Sequence, residues 1–174
     1  MNLRSCSIFF IATFFLSILS LNLHANEYEG YCSGRFAIQA AMATGGNLGI
    51  GVVHYTEHTE LGVTIAGQIN NAHHSTKTVT PVIFGGLRHA LCEGTYFAYG
   101  LDFANTFGTN NGKKIKYDLS AAPYISLEQM LTHHIMLVLW INPYQYEYEK
   151  IGRQSSVSTQ SFFSTGGIGL NYIF

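Results

Sequence analysis

The chain has 174 residues, of which 11% are charged and 47% are hydrophobic. An ordinary soluble domain has about 25% charged residues, so this chain has too little charge to coat a wholly water-facing surface. The formal net charge of −1 also lacks the basic excess of a nucleic-acid-binding protein. The composition therefore excludes a nucleic-acid partner and favours an exterior that partly avoids water.

The first residues, Met1–Ala25, have the layout of a secretory signal peptide. Arg4 precedes an apolar run, Ile8–Leu21, and a small residue, Ala25, closes the segment. The run is shorter than the roughly 18 to 20 residues of a membrane-spanning helix. The sequence predicts a cleaved leader at 1–25, a short periplasmic segment at 26–33 and a single domain at 34–174.

Apolar side chains alternate with small or polar ones along most of the remaining chain. In Leu61–Asn70, for example, Leu61, Val63 and Ile65 share one face. A period of two residues is typical of a β-strand. The eight predicted strands are Gly34–Ala43, Leu48–Tyr55, Leu61–Asn70, Val79–Ala90, Phe97–Ala104, Ile115–Ser126, Ile135–Glu147 and Phe162–Phe174.

The seventh strand has no clear phase because it is apolar on both faces before Asn142-Pro143. A β-bulge at Pro143 would turn Tyr144, Tyr146 and Tyr148 outward, since proline donates no ladder hydrogen bond.

The connections alternate in length between the strands. Short turns are predicted at Thr56–Glu60, Leu91–Gly94 and Glu128–His134, and longer polar loops at Asn70–Thr78, Phe107–Lys114 and Tyr148–Gln160. Membrane barrels have short periplasmic turns and longer outward loops. A bilayer admits only helices and closed barrels, and no later segment has the apolar run of a helix. The predicted fold is an all-β, closed, antiparallel, eight-stranded up-and-down transmembrane β-barrel.

The last residues carry a family resemblance. Ile168, Leu170, Tyr172 and Phe174 share one face, and the final residue is aromatic. This resembles the terminal strand of small outer-membrane barrels of the OmpA/OmpX type, with OmpW-like barrels as a variant. The resemblance implies a Gram-negative outer-membrane location and recognition of this strand by the barrel-assembly machinery.

A secreted soluble barrel of the lipocalin or avidin kind is the alternative fold. Its apolar face points inward, so alternation alone does not separate the two. The scarcity of charge favours the membrane barrel, whose polar residues would then fill the lumen. The predicted luminal network is Arg35, Gln39, Gln68, Arg88, Asp102, Lys116, Asp118, Tyr124 and Asn171. We interpret this network as structural filling rather than a catalytic site.

Candidate chemistry outside the lumen is sparse. Lipid A deacylases and palmitoyltransferases share this architecture and act through Ser and His, for which only His73-His74-Ser75 is a local candidate. A solvated polar loop accounts for it better, and we carry over no catalytic residue. The same histidines with His54 or His58 lack the spacing of a metal site. We therefore expect no enzyme activity, metal or cofactor.

Cys32 and Cys92 are both predicted at the periplasmic rim, where an oxidising compartment supports disulfides. A bridge between them is possible, and two independent thiols are the alternative.

The leading functional hypothesis is a structural or surface-interaction role. A monomeric barrel, surrounded by outer-membrane lipid and lipopolysaccharide, would display the loops Asn71–Lys77, Thr109–Lys114 and Lys150–Thr159. A general, porin-like pore is disfavoured because side chains fill a barrel of eight strands. The alternatives are a narrow conduit for small or hydrophobic molecules, as in OmpW-like barrels, and a lipid A-modifying enzyme.

Overall fold

The computed structural model describes residues 32–44, 46–70, 76–110, 113–151 and 154–174. The predicted signal peptide at 1–25, and all of the segment 26–33 except Cys32 and Ser33, lie outside these residues. Within the described ranges no helix is both long and apolar enough to cross a membrane.

The described chain is built from antiparallel strands. They are β1 (Arg35–Ala43), β2 (Leu48–Tyr55), β3 (Thr59–Asn70), β4 (Thr76–Cys92), β5 (Thr95–Asn105), β6 (Phe107–Asn110), β7 (Lys113–Met130), β8 (Ile135–Ile151) and β9 (Gln154–Ile173). β5 and β6 lie end to end, on either side of Thr106, because both pair with β4 and with β7. Together they form one barrel strand, so the described segments make eight.

The sheet closes on itself. Each strand pairs with the next along the chain, and β1 pairs with β9 from Ala37↔Ile173 to Ala43↔Gly167. This pairing of the first and last strands closes the sheet between Ala37 and Ala43, and a closed sheet is the condition for strands to cross a bilayer. The predicted eight-stranded, closed, antiparallel barrel is confirmed.

The two ends of the barrel differ. The turns 56–58, 93–94 and 131–134 lie at one end together with the C-terminus, and we call this the turn end. Gly94 in the second turn has φ +71°, a left-handed conformation that suits glycine. The other end carries the connections β1–β2, β3–β4, β6–β7 and β8–β9, and we call it the hairpin end.

The barrel has its apolar side chains on the outside. Ile65, Leu101 and Leu119 are 56%, 52% and 47% exposed, whereas Arg88 is 1% exposed. A soluble barrel has the opposite arrangement, so the lipocalin-like alternative is wrong. The outward apolar and inward polar faces are those of a transmembrane barrel.

The loops predicted at the hairpin end are shorter than expected. β5 continues as β6 through Asn110, β8 reaches Ile151, and β9 begins at Gln154. The predicted loops Phe107–Lys114 and Tyr148–Gln160 are therefore mostly paired strands. The backbone ladder continues beyond the apolar belt, where polar side chains on both faces hide the alternation.

β8 changes phase at Pro143. Its pairing with β9 shifts register between Asn142 and Tyr144, and Tyr144 and Tyr146 are exposed beyond that shift. Met136 and Asn142, before the shift, are buried. The predicted bulge at this proline is confirmed.

Candidate functional site

An ion pair lies inside the barrel near the turn end. The Arg88 Nε donates to Glu128 Oε2 at 2.6 Å, with both side chains buried. The backbone N–H of Arg88 donates to His58 O in the adjacent turn, which fixes the height of the pair in the barrel. A buried charge needs a partner of opposite sign, and Glu128 is that partner.

Aromatic and sulfur side chains surround the guanidinium. Its carbon lies 3.4 Å from the ring centroid of Tyr96 and 4.9 Å from that of Tyr55. Met136 Sδ lies 3.6 Å from Arg88 Nη2. Rings so placed attract the cation through their electron-rich faces. We call Arg88, Glu128, Tyr55, Tyr96 and Met136 the inner plug.

A second carboxyl group adjoins the inner plug. Glu60 accepts a hydrogen bond from the Tyr124 hydroxyl at 2.6 Å and lies close enough to Glu128 for the two carboxyl groups to interact electrostatically. Gly86 makes room for the phenol, since a β-carbon there would collide with its oxygen. Two carboxyl groups therefore lie near the guanidinium, and Glu128 is the one bonded to it.

Neutral hydrogen bonds continue the network across the lumen. Thr64 Oγ1 donates to Gln39 Oε1 at 3.0 Å, and the Asn171 amide donates to the Tyr55 hydroxyl. Tyr55 therefore links the inner plug to β9. The turn half of the lumen is filled by side chains, as expected for a barrel of eight strands.

Above this filling, the lumen holds a cavity of about 280 Å³, which extends from Tyr55 and Val138 toward the hairpin end. We call it the outer cup. Glu60, Tyr124 and Ser126 line its lower part, and Ala43 and Asn47 line it near the hairpin end. Its wall also carries Asp102, which accepts from Asn142 Nδ2 at 2.6 Å.

The nine residues predicted for the luminal network have different surroundings. Gln39, Arg88, Tyr124 and Asn171 are buried inside with the partners given above. Asp102 lines the outer cup, and Asp118 accepts from Thr106. Arg35 and Gln68 are half-buried near opposite ends. The Lys116 side chain lies outside the described part.

The sequence interpretation missed the two acidic residues nearest Arg88. It assigned Glu60 and Glu128 to turns, but they belong to β3 and β7. The available signal was the alternation of inward and outward side chains along each strand. Glu128 continues the inward face of Tyr124 and Ser126, and Glu60 precedes Thr64 on the same face.

The cysteines are not bonded to each other. Cys32 is buried with its Sγ 3.5 Å from Met130 Sδ, whereas Cys92 is exposed at the end of β4. The possible disulfide is therefore not formed. Burial raises the pKa of the Cys32 thiol because desolvation disfavours the thiolate, and a neutral thiol is a poor nucleophile.

The histidines considered as metal ligands are dispersed. His54 packs on Phe36 with ring centroids 4.6 Å apart, and His58 is exposed beside Glu57. His73, His74 and Ser75 lie outside the described residues. In the described ranges no group of three or more His, Cys, Asp or Glu side chains could hold a metal ion.

The four residues of the terminal-strand motif point outward. Ile168, Leu170, Tyr172 and Phe174 are exposed on β9 or directly after it, and Tyr172 stacks on His134. Between them, Gly169, Asn171 and Ile173 are buried.

Solved structures offer a comparison for this barrel. A de novo designed transmembrane β-barrel is 12% identical with a TM-score of 0.48, and the match covers 82% of this chain and 97% of that one. Neisserial surface protein A is 14% identical with a TM-score of 0.48, covering 80% and 94%. The Yersinia pestis outer membrane protein Ail, in a phospholipid bilayer nanodisc, is 12% identical with a TM-score of 0.44, covering 82% and 100%. No protein-family model and no curated protein matches the sequence.

The class of protein follows from this chain's own geometry. A closed antiparallel barrel with apolar side chains outside and an ion pair inside is a transmembrane β-barrel.

Proposed function

We propose that this chain is an exported bacterial outer-membrane barrel with a structural and surface-interaction role and a lumen that does not conduct. Its turn end faces the periplasm, and its hairpin end faces the cell exterior. Outer-membrane lipid and lipopolysaccharide surround the apolar belt of a monomer. This orientation follows the rule that membrane barrels keep their short turns in the periplasm.

The inner plug is the observation that carries the proposal. Arg88, Tyr55, Met136 and Glu128 are each less than 2% exposed. Such burial indicates that side chains fill the lumen between the outer cup and the turn end. This filling supports a sealed barrel over a narrow conduit, and we assign no catalytic residue.

The hairpin end supplies the surface for interaction. β7, β8 and β9 contain 18, 17 and 20 residues, whereas a transmembrane strand needs about 9–11. The pairing of β1 with β9 ends at Gly167, so the excess length of β8 and β9 extends at the hairpin end. A paired β-hairpin, rather than a loop, would therefore be the element displayed to partners.

We further propose that the assembly machinery binds the outward face of β9. Exposed apolar side chains at Ile168, Leu170, Tyr172 and Phe174 support this. A partner could bind these four side chains together, since alternate residues of a strand share one face.

Planar-bilayer recording tests the sealed lumen. Barrel purified from isolated outer membranes, and shown to be folded by heat-modifiable migration, is expected to give no stable conductance steps. The variant Tyr96→Ala/Met136→Ala removes two side chains of the inner plug but keeps its ion pair, so it should admit ions.

The matched control is Leu91→Ala, which removes an exposed side chain at the turn end and should remain closed. Stable steps from the native barrel would refute a sealed lumen and favour the conduit. Recovery of the protein from another cell fraction would refute the location.

A further inference from the structure

Three of the described histidines lie on the outer surface close to the turn end, each against an aromatic ring of an adjacent strand. The ring centroids of the three pairs are 4.6, 5.7 and 5.7 Å apart, and in the last two pairs the rings are stacked at 16° and 21°. The pairs occur at β1/β2, at β4/β5 and at β8/β9, so they are distributed around the barrel. We call this set the histidine girdle: His54 with Phe36, His89 with Tyr99, and His134 with Tyr172.

The girdle belongs to the surface that contacts lipid. Val53 and Tyr55, on either side of His54, are 0% and 1% exposed, so they point into the lumen and His54 points outward. His89 follows the inward Arg88 and is exposed, as is His134. All three aromatic partners are also exposed. The girdle therefore continues the apolar belt to the level where a membrane barrel meets the lipid headgroups.

The described outer surface near the turn end has no lysine or arginine. Arg35 and Arg88 belong to the inward faces of β1 and β4, together with buried neighbours such as Ala37. The described lysines lie in the parts of β4, β7 and β8 next to the hairpin end: Lys77, Lys113, Lys114, Lys116 and Lys150. Histidines are therefore the side chains that can give this part of the outer surface a positive charge.

The charge of a histidine side chain changes between about pH 5 and pH 8. The face of an aromatic ring attracts an imidazolium through its charge, which supports the protonated form in each pair. The Nδ1 of His134 donates to Ile173 O at 2.9 Å, since a carbonyl can only accept, and its Nε2 is left for another partner.

The groups that face the girdle from neighbouring strands are uncharged. Leu61 of β3 is opposite His54, and Phe97 of β5 is opposite His89. The titratable groups nearby are the phenols of the girdle itself and His133, which precedes His134. Among the described acidic residues of the turns, Glu57 lies beside His58, and Glu93 is in the second turn.

We propose that the protonated histidine girdle binds the headgroup phosphates of anionic phospholipids in the leaflet at the turn end. Charge complementarity supports this occupant, because positive side chains near a membrane are attracted to an anionic lipid surface. Continuity with the apolar belt supports it too, since a lipid whose acyl chains contact the belt has its headgroup at the girdle. Assigning this leaflet to the periplasmic side rests on the proposed orientation, whereas the binding does not.

Electron paramagnetic resonance of spin-labelled lipids measures this preference directly. The full-length barrel is reconstituted into phosphatidylcholine vesicles with a trace of spin-labelled phosphatidylglycerol or spin-labelled phosphatidylcholine. The fraction of each label that is immobilised at the barrel gives the relative affinity for the two headgroups. Lysines are charged at both about pH 5.5 and about pH 8, so they contribute equally at the two values. The relative affinity for phosphatidylglycerol should be about twofold or more higher at the lower pH.

The variant His54→Gln/His89→Gln/His134→Gln replaces each imidazole with a neutral amide and should lose this dependence on pH. The matched control is His58→Gln, because His58 is 75% exposed in the turn beside Glu57 and lies outside the girdle. It should keep the native dependence. Heat-modifiable migration verifies that each variant is folded. His89→Gln alone changes the barrel less and should lose part of the effect, which provides a second probe.

Equal relative affinity of the native barrel at the two pH values would overturn the inference. So would a full native dependence in the folded variant that lacks all three histidines, or in folded His89→Gln. Loss of the preference when inorganic phosphate replaces chloride at constant ionic strength would also overturn it, because the girdle would then bind a free anion. Conductance and cell fractionation would still decide the proposed function separately.

Discussion

Replacing Arg88 with methionine is expected to destabilise the folded barrel by about 3–5 kcal/mol. Methionine keeps an unbranched apolar stem but ends before the position of the guanidinium, so the change removes that group from its contacts with Tyr55 and Tyr96. Glu128 is then left buried without its counter-charge, next to the carboxyl of Glu60. Equilibrium unfolding in urea, in phosphatidylcholine vesicles, measures the loss through the fluorescence of Trp140.

Two variants separate the ion pair from simple packing. Glu60→Gln removes a carboxyl from the same cluster but leaves the pair with Glu128 intact, and should cost less than about 1.5 kcal/mol. Arg88→Met/Glu128→Gln removes both charges and should be more stable than Arg88→Met alone. A loss below about 1 kcal/mol for Arg88→Met would contradict the role given to this pair.

Leu101→Arg is expected to cost about 2–4 kcal/mol in a bilayer, although Leu101 is already 52% exposed. It lies in the middle of β5 on the outward face. An exposed leucine in a soluble protein tolerates this change, usually within about 0.5 kcal/mol. In a membrane, however, the charge must enter hydrocarbon. The same urea titration in vesicles measures the cost.

Leu91→Arg is the matched control, because Leu91 is 56% exposed but lies beside the turn between β4 and β5. Its cost should be about 0–1 kcal/mol, as for an interfacial site. Leu101→Ala accounts for the lost side chain without adding charge. Equal costs for the two arginine variants would show that depth in the barrel does not matter.

The outward face of the barrel was predictable because alternation survives wherever one face contacts lipid and the other a narrow lumen. β2 has the predicted bounds, Leu48–Tyr55, and Pro143 marked a true change of phase. Each of these signals is local. The alternation of side chains along a strand, and the hydrogen-bond donor that a proline lacks, can both be recognised from a few neighbouring residues.

The luminal contacts were less predictable because they join residues far apart in sequence. Glu128 pairs with Arg88, 40 residues away, and Glu60 binds Tyr124, 64 residues away. Because both acidic residues are polar and close to a turn, the sequence interpretation placed them in solvent. Continuing the alternation of inward and outward residues along each strand would have placed both side chains in the lumen. Strand ends beyond the membrane were missed for a related reason, since water accepts polar residues on either face.

Site-directed spin labelling tests most directly which face meets lipid. With Cys32 and Cys92 replaced by serine, single nitroxides are placed at Ile65, Leu101 or Leu119, or at Ala104 on the wall of the outer cup, in barrel reconstituted into vesicles. The first three should collide readily with oxygen dissolved in the bilayer and rarely with a water-soluble nickel chelate, unlike the label at Ala104. Nickel access to Leu101 equal to that at Ala104 would contradict a hydrocarbon-facing exterior.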